Sequence, residues 1–320
     1  MARSTGCWTA CPRETRQRCP PMTDDLSDTR PLSLSHWLEA AGVAAAVTVC
    51  RRLSLDRASN LGGRLGRTIG PRLSIHRRAV RHISRAMPEL GSDGAEEVAR
   101  GMWENLGRTF AEFAKLDTLD CYAGDGRIEV AGIEHIDRVR EAGGGAIFFS
   151  AHFANWEILP LSVTQRGLPV SLVYRSANNP AVNDMILRMR RLSTETNVAK
   201  GAAGARQLIN IIKNGGSLGI LIDQKQNAGI PVPFFGRDAM TAPAMAQLAL
   251  KFGVPLIPIS VVRRGGAWFS VTVSPPLKIA PTRDRAADTL AIMTEVNRIL
   301  ETWIRAHPEQ WLWLHRRWAD

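Results

Sequence analysis

Three features of this 320-residue chain predict an α/β fold, a mostly parallel central sheet flanked by helices, with a helical region in front of it. Beyond Cys121, short apolar runs alternate with helical stretches, the pattern that places a parallel sheet between helix layers. Two of the runs, Ala146-Ile-Phe-Phe-Ser150 and Leu218-Gly-Ile-Leu-Ile222, are continuously apolar, as strands covered on both faces must be. Before Cys121 the pattern is helical and rich in arginine. A composition of 45% hydrophobic and 22% charged residues excludes a disordered tail, a collagen-like repeat and a disulfide-framework miniprotein.

The elements follow in order. Residues 1–35 form a polar, Pro-containing extension expected to be disordered, and its first 30 residues hold no apolar run that could serve as a signal-peptide core. Residues 36–120 form a helical, arginine-rich region expected to associate with a membrane. Its apolar run, Ala40–Cys50, is far shorter than the ~20 residues needed to span hydrocarbon. Leu61, Leu65, Ile69 and Leu73 then recur every four residues between arginines, which suits a helix lying in the headgroup plane or one packed on the core. Gly62, Gly63, Gly66 and Gly70 weaken that helix, each by up to ~1 kcal/mol against alanine. Asp93-Gly-Ala-Glu96 reads as a capping box opening a helix with Val98, Met102, Leu106, Phe110 and Phe113 on its apolar face.

Residues 121–320 form the α/β domain. Its strands are expected at 128–130, 146–150, 170–174, 218–222, 256–262 and 268–273, the last as the second arm of a hairpin. Its helices are expected near 156–165, 181–192, 203–213, 242–252 and 284–306. The five cysteines, Cys7, Cys11, Cys19, Cys50 and Cys121, are odd in number and lack metal-ligand spacing, so reduced, incidental thiols are expected.

The net charge of +11 asks for an anionic partner. Between Arg51 and Arg85 lie ten arginines and one acid, Asp56, a net +9. That segment interleaves leucines and glycines with its arginines. No zinc-knuckle or RNP signature accompanies it, so a membrane surface is expected and a nucleic acid is not.

Chemistry concentrates in Ile147-Phe-Phe-Ser-Ala-His152-Phe-Ala-Asn155-Trp-Glu157. His152 stands at the C-terminal end of an apolar strand, where open α/β sheets bind ligands. From a strand-to-helix turn, Glu157 can reach back to the ring and form a His–carboxylate dyad that orients and stabilises the imidazolium. No Gly-x-Ser-x-Gly elbow supplies a nucleophile, so the dyad suits a general base acting on a substrate hydroxyl. A buried structural histidine is the other reading of the same residues.

Ala151-His-Phe-Ala-Asn-Trp-Glu157 resembles the HX4(D/E) box of the bacterial lipid A secondary acyltransferases, the lauroyl/myristoyl family. Tyr174-Arg-Ser-Ala-Asn-Asn-Pro180, Ile222-Asp-Gln224, Val232-Pro-Phe-Phe-Gly236 and Pro308-Glu-Gln-Trp-Leu-Trp-Leu-His-Arg-Arg-Trp318 are similar to further elements of that family. Met87-Pro-Glu-Leu90 and Asn105-Leu-Gly-Arg108 fit its N-terminal pattern, and the order agrees over roughly residues 38–318. The apolar N-terminal run is shorter and richer in alanine and glycine than is usual there.

The resemblance implies a glycerol-phosphate acyltransferase-like fold on the cytoplasmic face of the bacterial inner membrane. It implies transfer of an acyl chain from an acyl carrier protein or acyl-CoA to a hydroxyl of an anionic glycolipid, with no cofactor or metal, because the thioester supplies the driving force. His152 and Glu157 are then the catalytic pair, and Asn155, Arg175, Asn179, Asp223 and Gln224 the substrate-binding candidates. Alternatives stand beside several of these. Arg175 contacts a phosphate or makes a surface ion pair; Asn179-Pro180 binds or shapes a loop; Asp223 and Gln224 serve the site or hold structure. Phe234-Phe235 lines an acyl channel or packs a loop, and Trp311, Trp313 and Trp318 are interfacial or core. A phosphatidylinositol mannoside or glycerol phosphate is the other acceptor class. The Pro-Glu-Gly-Thr box usual in the glycerol-phosphate enzymes is absent, and Asp223-Gln224 stands near where it would fall.

Overall fold

The computed structural model describes residues 33–191 and 193–318, without the side chain of Ala202. Residues 1–32 of the expected extension, with Cys7, Cys11 and Cys19, lie outside them; its last three residues, 33–35, instead cap and open the first helix, while Cys50 and Cys121 are free thiols.

Four helices open the described chain: α1 (Leu34–Arg52), α2 (Leu55–Ile69), α3 (His76–Ala86) and α4 (Gly91–Phe113). Ser33 and Ser54 cap α1 and α2, each side chain accepting a bond from a backbone N–H of the first turn. None of the described helices is long and apolar enough to cross a membrane.

The glycines of α2, read from sequence as a weakness, are what lets α2 lie on α4. A Cβ on Gly66 would sit 2.1 Å from the Trp103 carbonyl oxygen, and one on Gly62 2.3 Å from that of Gly107. Contact through this small-residue face turns Leu61, Leu65, Ile69 and Leu73 outward, where they are 38–50% exposed. The helix therefore packs on the protein and presents its leucines to the outside.

The expected capping box is not one. The N-cap of α4 is Leu90, three residues before Asp93, and the helix starts at Gly91, so Glu96 lies inside it and pairs with His76 (3.0 Å) and Arg100 (2.9 Å). His76 of α3 and Arg100, one turn along α4, take the carboxylate that a cap would have used.

Beyond Cys121, β1 (Ile128–Ala131), α5 (Ile133–Glu141), β2 (Ile147–Ser150), α6 (Ile158–Thr164), β3 (Val170–Tyr174), α7 (Pro180–Arg190), β4 (Asn197–Ala199), α8 (Ala202–Lys213) and β5 (Ser217–Leu221) alternate strand and helix. A hairpin of β6 (Ile230–Phe234) and β7 (Arg237–Thr241) follows, then α9 (Ala244–Phe252), β8 (Leu256–Gly265), β9 (Trp268–Val273) and α10 (Arg285–Ala306). The main sheet has seven strands in the order β1-β9-β8-β2-β5-β3-β4, with every pair parallel except the β8–β9 hairpin. The α/β expectation holds.

The β6–β7 hairpin escapes a sequence reading because Ile230-Pro-Val-Pro-Phe234 carries two prolines, which confine it to a small two-stranded sheet. One buried apolar cluster joins both halves, running from Ala79, Met102 and Trp103 through Phe149 and Leu256 to Trp311, Trp313 and Trp318. The three tryptophans are core, at most 1% exposed, and Phe234 and Phe235 pack against them.

Candidate active site

Strand register builds the site. Parallel pairing sets Ser150 of β2 beside Leu221 of β5. Two residues past each strand end, His152 and Asp223 therefore emerge side by side at the C-terminal edge of the sheet. Asp223 is fully buried and takes hold of His152 twice: Oδ1 lies 2.8 Å from Nδ1, and Oδ2 accepts the backbone N–H at 2.9 Å. Oδ2 also accepts the indole N–H of Trp311 at 2.8 Å. Burial pushes the Asp223 carboxyl upward, but the charge and hydrogen bonds of His152 outweigh it and hold the group well below the usual carboxylate range. An ionised carboxylate only accepts, so Nδ1 carries the ring proton and Nε2 is left as the basic nitrogen.

The carboxylate on the imidazole is thus Asp223, and the expected His152–Glu157 pairing is corrected. Glu157 faces Arg190 of α7 instead, accepting from Nε at 2.9 Å and from Nη2, and from the indole of Trp156 at 3.0 Å. A permanently charged guanidinium matches both oxygens of a buried carboxylate in a way a single ring nitrogen cannot. Burial alone would lower the Arg190 guanidinium, and Glu157 reverses the shift.

The turn between His152 and Glu157 is held from α4. Ala154 has φ +47°, strained for a residue with a side chain, and its carbonyl accepts from Asn105 (3.2 Å) and Thr109 (2.9 Å). Asn155, expected to meet substrate, is fully buried: it donates to Glu112 at 2.8 Å and accepts the Glu157 N–H at 3.3 Å. Glu112 in turn pairs with Arg263 at 3.0 Å. Asn155 is a strut joining the box to α4.

Asn179 is likewise spent elsewhere. It caps α7 through Ala181 (3.1 Å), donates to the His36 carbonyl and Glu39 (2.9 Å each), and does not line the pocket at His152. It ties α7 to α1.

A pocket of about 180 Å³ opens at His152. Its wall is mostly apolar, with Phe148, Leu159, Val163, Val170, Leu172 and Ile220. Arg175, Lys200 and Gln224 add polar groups to the lining. Gln224 stands 3.4 Å from the His152 Nε2 and accepts from Lys200 at 3.0 Å. Burial lowers the Lys200 ammonium, Arg175 adding to the effect and Asp223 opposing it.

The sequence points to no role for Lys200, and His315 stands in it only within the Pro308–Trp318 element. The His315 ring lies 4.9 Å from that of His152, and burial, with His152 beside it, pulls its pKa down to about 4. Its Nε2 is buried without a hydrogen-bond partner. The residue reaches the site because the C-terminal segment pairs with the box, Phe153 bridging Trp311 and Leu312 donating to the His152 carbonyl at 3.0 Å. Such pairing across 160 positions leaves no local signal. His152, Asp223 and His315 bring their ligand atoms within 4.8 Å of one another, spacing that could admit a cation. The Asp223 oxygens, however, are already engaged with His152 and Trp311.

Residues 27–320 match the family described as bacterial lipid A biosynthesis acyltransferase. The chain belongs to that family. It is an acyltransferase, and the family's acceptors are lipid A or related glycolipids. Among its relatives, the lipid A biosynthesis palmitoleoyltransferase of Escherichia coli K12 is 23% identical over 268 residues, covering 80% of this chain and 83% of that protein. The lipid A biosynthesis lauroyltransferase of the same organism is 27% identical over 247 residues, 74% and 76% of the two chains. A phosphatidylinositol mannoside acyltransferase of Mycobacterium tuberculosis is 22% identical over 224 residues, 67% and 68%. Among solved structures, the 1-acyl-sn-glycerophosphate acyltransferase of Thermotoga maritima aligns over 83% of this acyltransferase and all of its own length, with a TM-score of 0.36 and 15% identity.

Proposed function

We propose that this acyltransferase moves a fatty acyl chain from an acyl carrier protein or acyl-CoA thioester to a hydroxyl of a lipid A precursor, at the cytoplasmic face of the bacterial inner membrane. The observation that carries the reading is His152 held by Asp223 in the lining of a mostly apolar pocket, with Nε2, 3.4 Å from the Gln224 amide, as the nitrogen that takes a proton.

In that reaction the acceptor hydroxyl gives its proton to His152 Nε2 while its oxygen attacks the thioester carbonyl carbon. The C–S bond then breaks, the ester forms, and the proton passes from Nε2 to the leaving thiolate. Asp223 orients the ring and stabilises its charged form throughout. Apolar side chains take up the acyl chain, and Arg175 and Lys200 offer positive charge to the phosphate of a pantetheine arm. The outward leucines of α2 and its neighbouring arginines support attachment at a lipid surface.

The mannoside acyltransferase relative favours a second acceptor, a phosphatidylinositol mannoside, for the same chemistry. Protein in detergent is given radiolabelled acyl carrier protein with either a tetra-acylated lipid A precursor or the mannoside. Labelled lipid A is expected, with His152→Ala lowering the rate by ~10²- to 10⁴-fold. Label on the mannoside alone would reassign the acceptor, and full activity in the His152 variant would sink the mechanism.

A further inference from the structure

Beside the site lies a larger cavity, about 840 Å³, which the chemistry above does not use. Its volume falls within the ~300–1,000 Å³ of ordinary small-molecule sites. Arg77, Arg78 and Arg81 of α3 line it from one side, and Lys225 and Arg316 from others, with Ser74 among them. Five cations thus face one space. Among the described residues none of the five makes an ion pair with a carboxylate.

Several other arginines of the chain are paired. Arg67, Arg100, Arg108, Arg127 and Arg263 each hold an acid within 3.0 Å. Among the described residues, Arg78 alone of the five donates a side-chain hydrogen bond to the protein, to the Leu314 carbonyl at 3.4 Å. Mutual repulsion of unpaired like charges is relieved by an oxyanion that several can bond at once.

The cavity is also placed for the reaction. Lys225 follows Gln224, which touches His152, and Arg316 follows His315, which packs on the same ring. His152 therefore has an apolar pocket at one hand and a cationic cavity reached through the next residues of two segments. Leu73, the last residue of the exposed stripe, directly precedes Ser74 in the cavity lining. A molecule embedded in a lipid surface meets the leucines and brings its head to the arginines. Cations converging on a concavity suit a compact phosphate better than the broad convex face of a carrier protein.

We infer that the cavity between α3, Lys225 and Arg316 binds the phosphate of the acceptor lipid's head, and so seats the hydroxyl that His152 deprotonates. This rests on the acyl-transfer reading above for what the phosphate is attached to, though the site itself can be tested without turnover.

Calorimetric titration of the full chain in detergent uses dioctanoyl phosphatidic acid, dioctanoylglycerol and inorganic pyrophosphate as probes. Phosphatidic acid is expected to bind and dioctanoylglycerol not to. The double variant R77Q/R81Q is expected to weaken phosphatidic acid by roughly tenfold or more, because charge-assisted bonds are lost. The variant R283Q/R285Q, which removes the same charge from residues that do not line the cavity, leaves binding in place. Excess pyrophosphate is expected to displace the lipid.

Unchanged affinity in R77Q/R81Q, equal weakening in R283Q/R285Q, or pyrophosphate binding without lipid binding would each overturn the site. So would a variant that loses affinity for acyl carrier protein while keeping it for the lipid. Loss of lipid binding in R77Q/R81Q with no acyl transfer by any form of the protein would support the phosphate site and refute the acyl-transfer reading. Normal lipid binding by R77Q/R81Q beside active transfer would do the reverse.

Discussion

Asp223 and Glu157 are both buried carboxylates at the C-terminal edge of one sheet, yet one faces an imidazole and the other a guanidinium. The difference decides what each neighbourhood can do. An imidazole exchanges a proton near neutral pH, so a carboxylate on its Nδ1 tunes and aims a base. A guanidinium keeps its charge, so the Glu157–Arg190 pair is a fixed brace across the pocket wall between the box and α7. Two acids of similar burial therefore separate into one that serves proton transfer and one that holds shape.

Asp223→Asn tests the proton-transfer side and carries the largest expected effect. The amide keeps the volume but cannot stabilise the imidazolium, so kcat falls by ~10²- to 10⁴-fold while the melting transition moves little. Steady-state kinetics beside a thermal melt checks both halves, and an active Asp223→Asn protein would erase the distinction between the two carboxylates.

Glu157→Gln tests the brace. It leaves the Arg190 charge buried without its partner, a loss of about 3–5 kcal/mol in stability. Urea unfolding reads that loss, and activity per folded molecule is expected to fall less than in Asp223→Asn. A Glu157 variant as stable as the parent but as inactive as Asp223→Asn would put Glu157 in the reaction and break the comparison.

The smallest effect concerns His315, which shares the Asp223 side. Its folded pKa of about 4 lies below the ordinary 6.5, so between those values the unfolded chain binds more protons. Stability is accordingly full above pH ~6.5 and is lost as pH falls toward ~4, by up to about 3 kcal/mol. In His315→Gln the slope of unfolding free energy over that window should flatten; the same slope in both proteins would show that His315 is not held neutral.

Much of this was legible in the chain. Continuously apolar runs at Ala146–Ser150 and Leu218–Ile222 announced covered parallel strands, because only burial on both faces tolerates them. The histidine past the first of them marked the ligand edge. Asn155 and Asn179 were harder to read: a polar side chain next to a site looks the same in sequence whether it meets substrate or, as here, Glu112 and α1. The α2 glycines misled for a related reason. Their cost to an isolated helix is local, whereas their value in admitting the carbonyls of α4 exists only once the two helices touch.

Periodicity and motif order by themselves determined the fold class, the family and the histidine, since each depends on neighbours along the chain. Which carboxylate meets that histidine was decided by tertiary structure alone. Glu157 is five residues from His152 and Asp223 seventy-one, but parallel register brings the distant one into contact and sends the near one to Arg190. The same docking brought His315 and Arg316 to the site from the far end of the chain, and set the cations of α3 around a space that no stretch of sequence encloses.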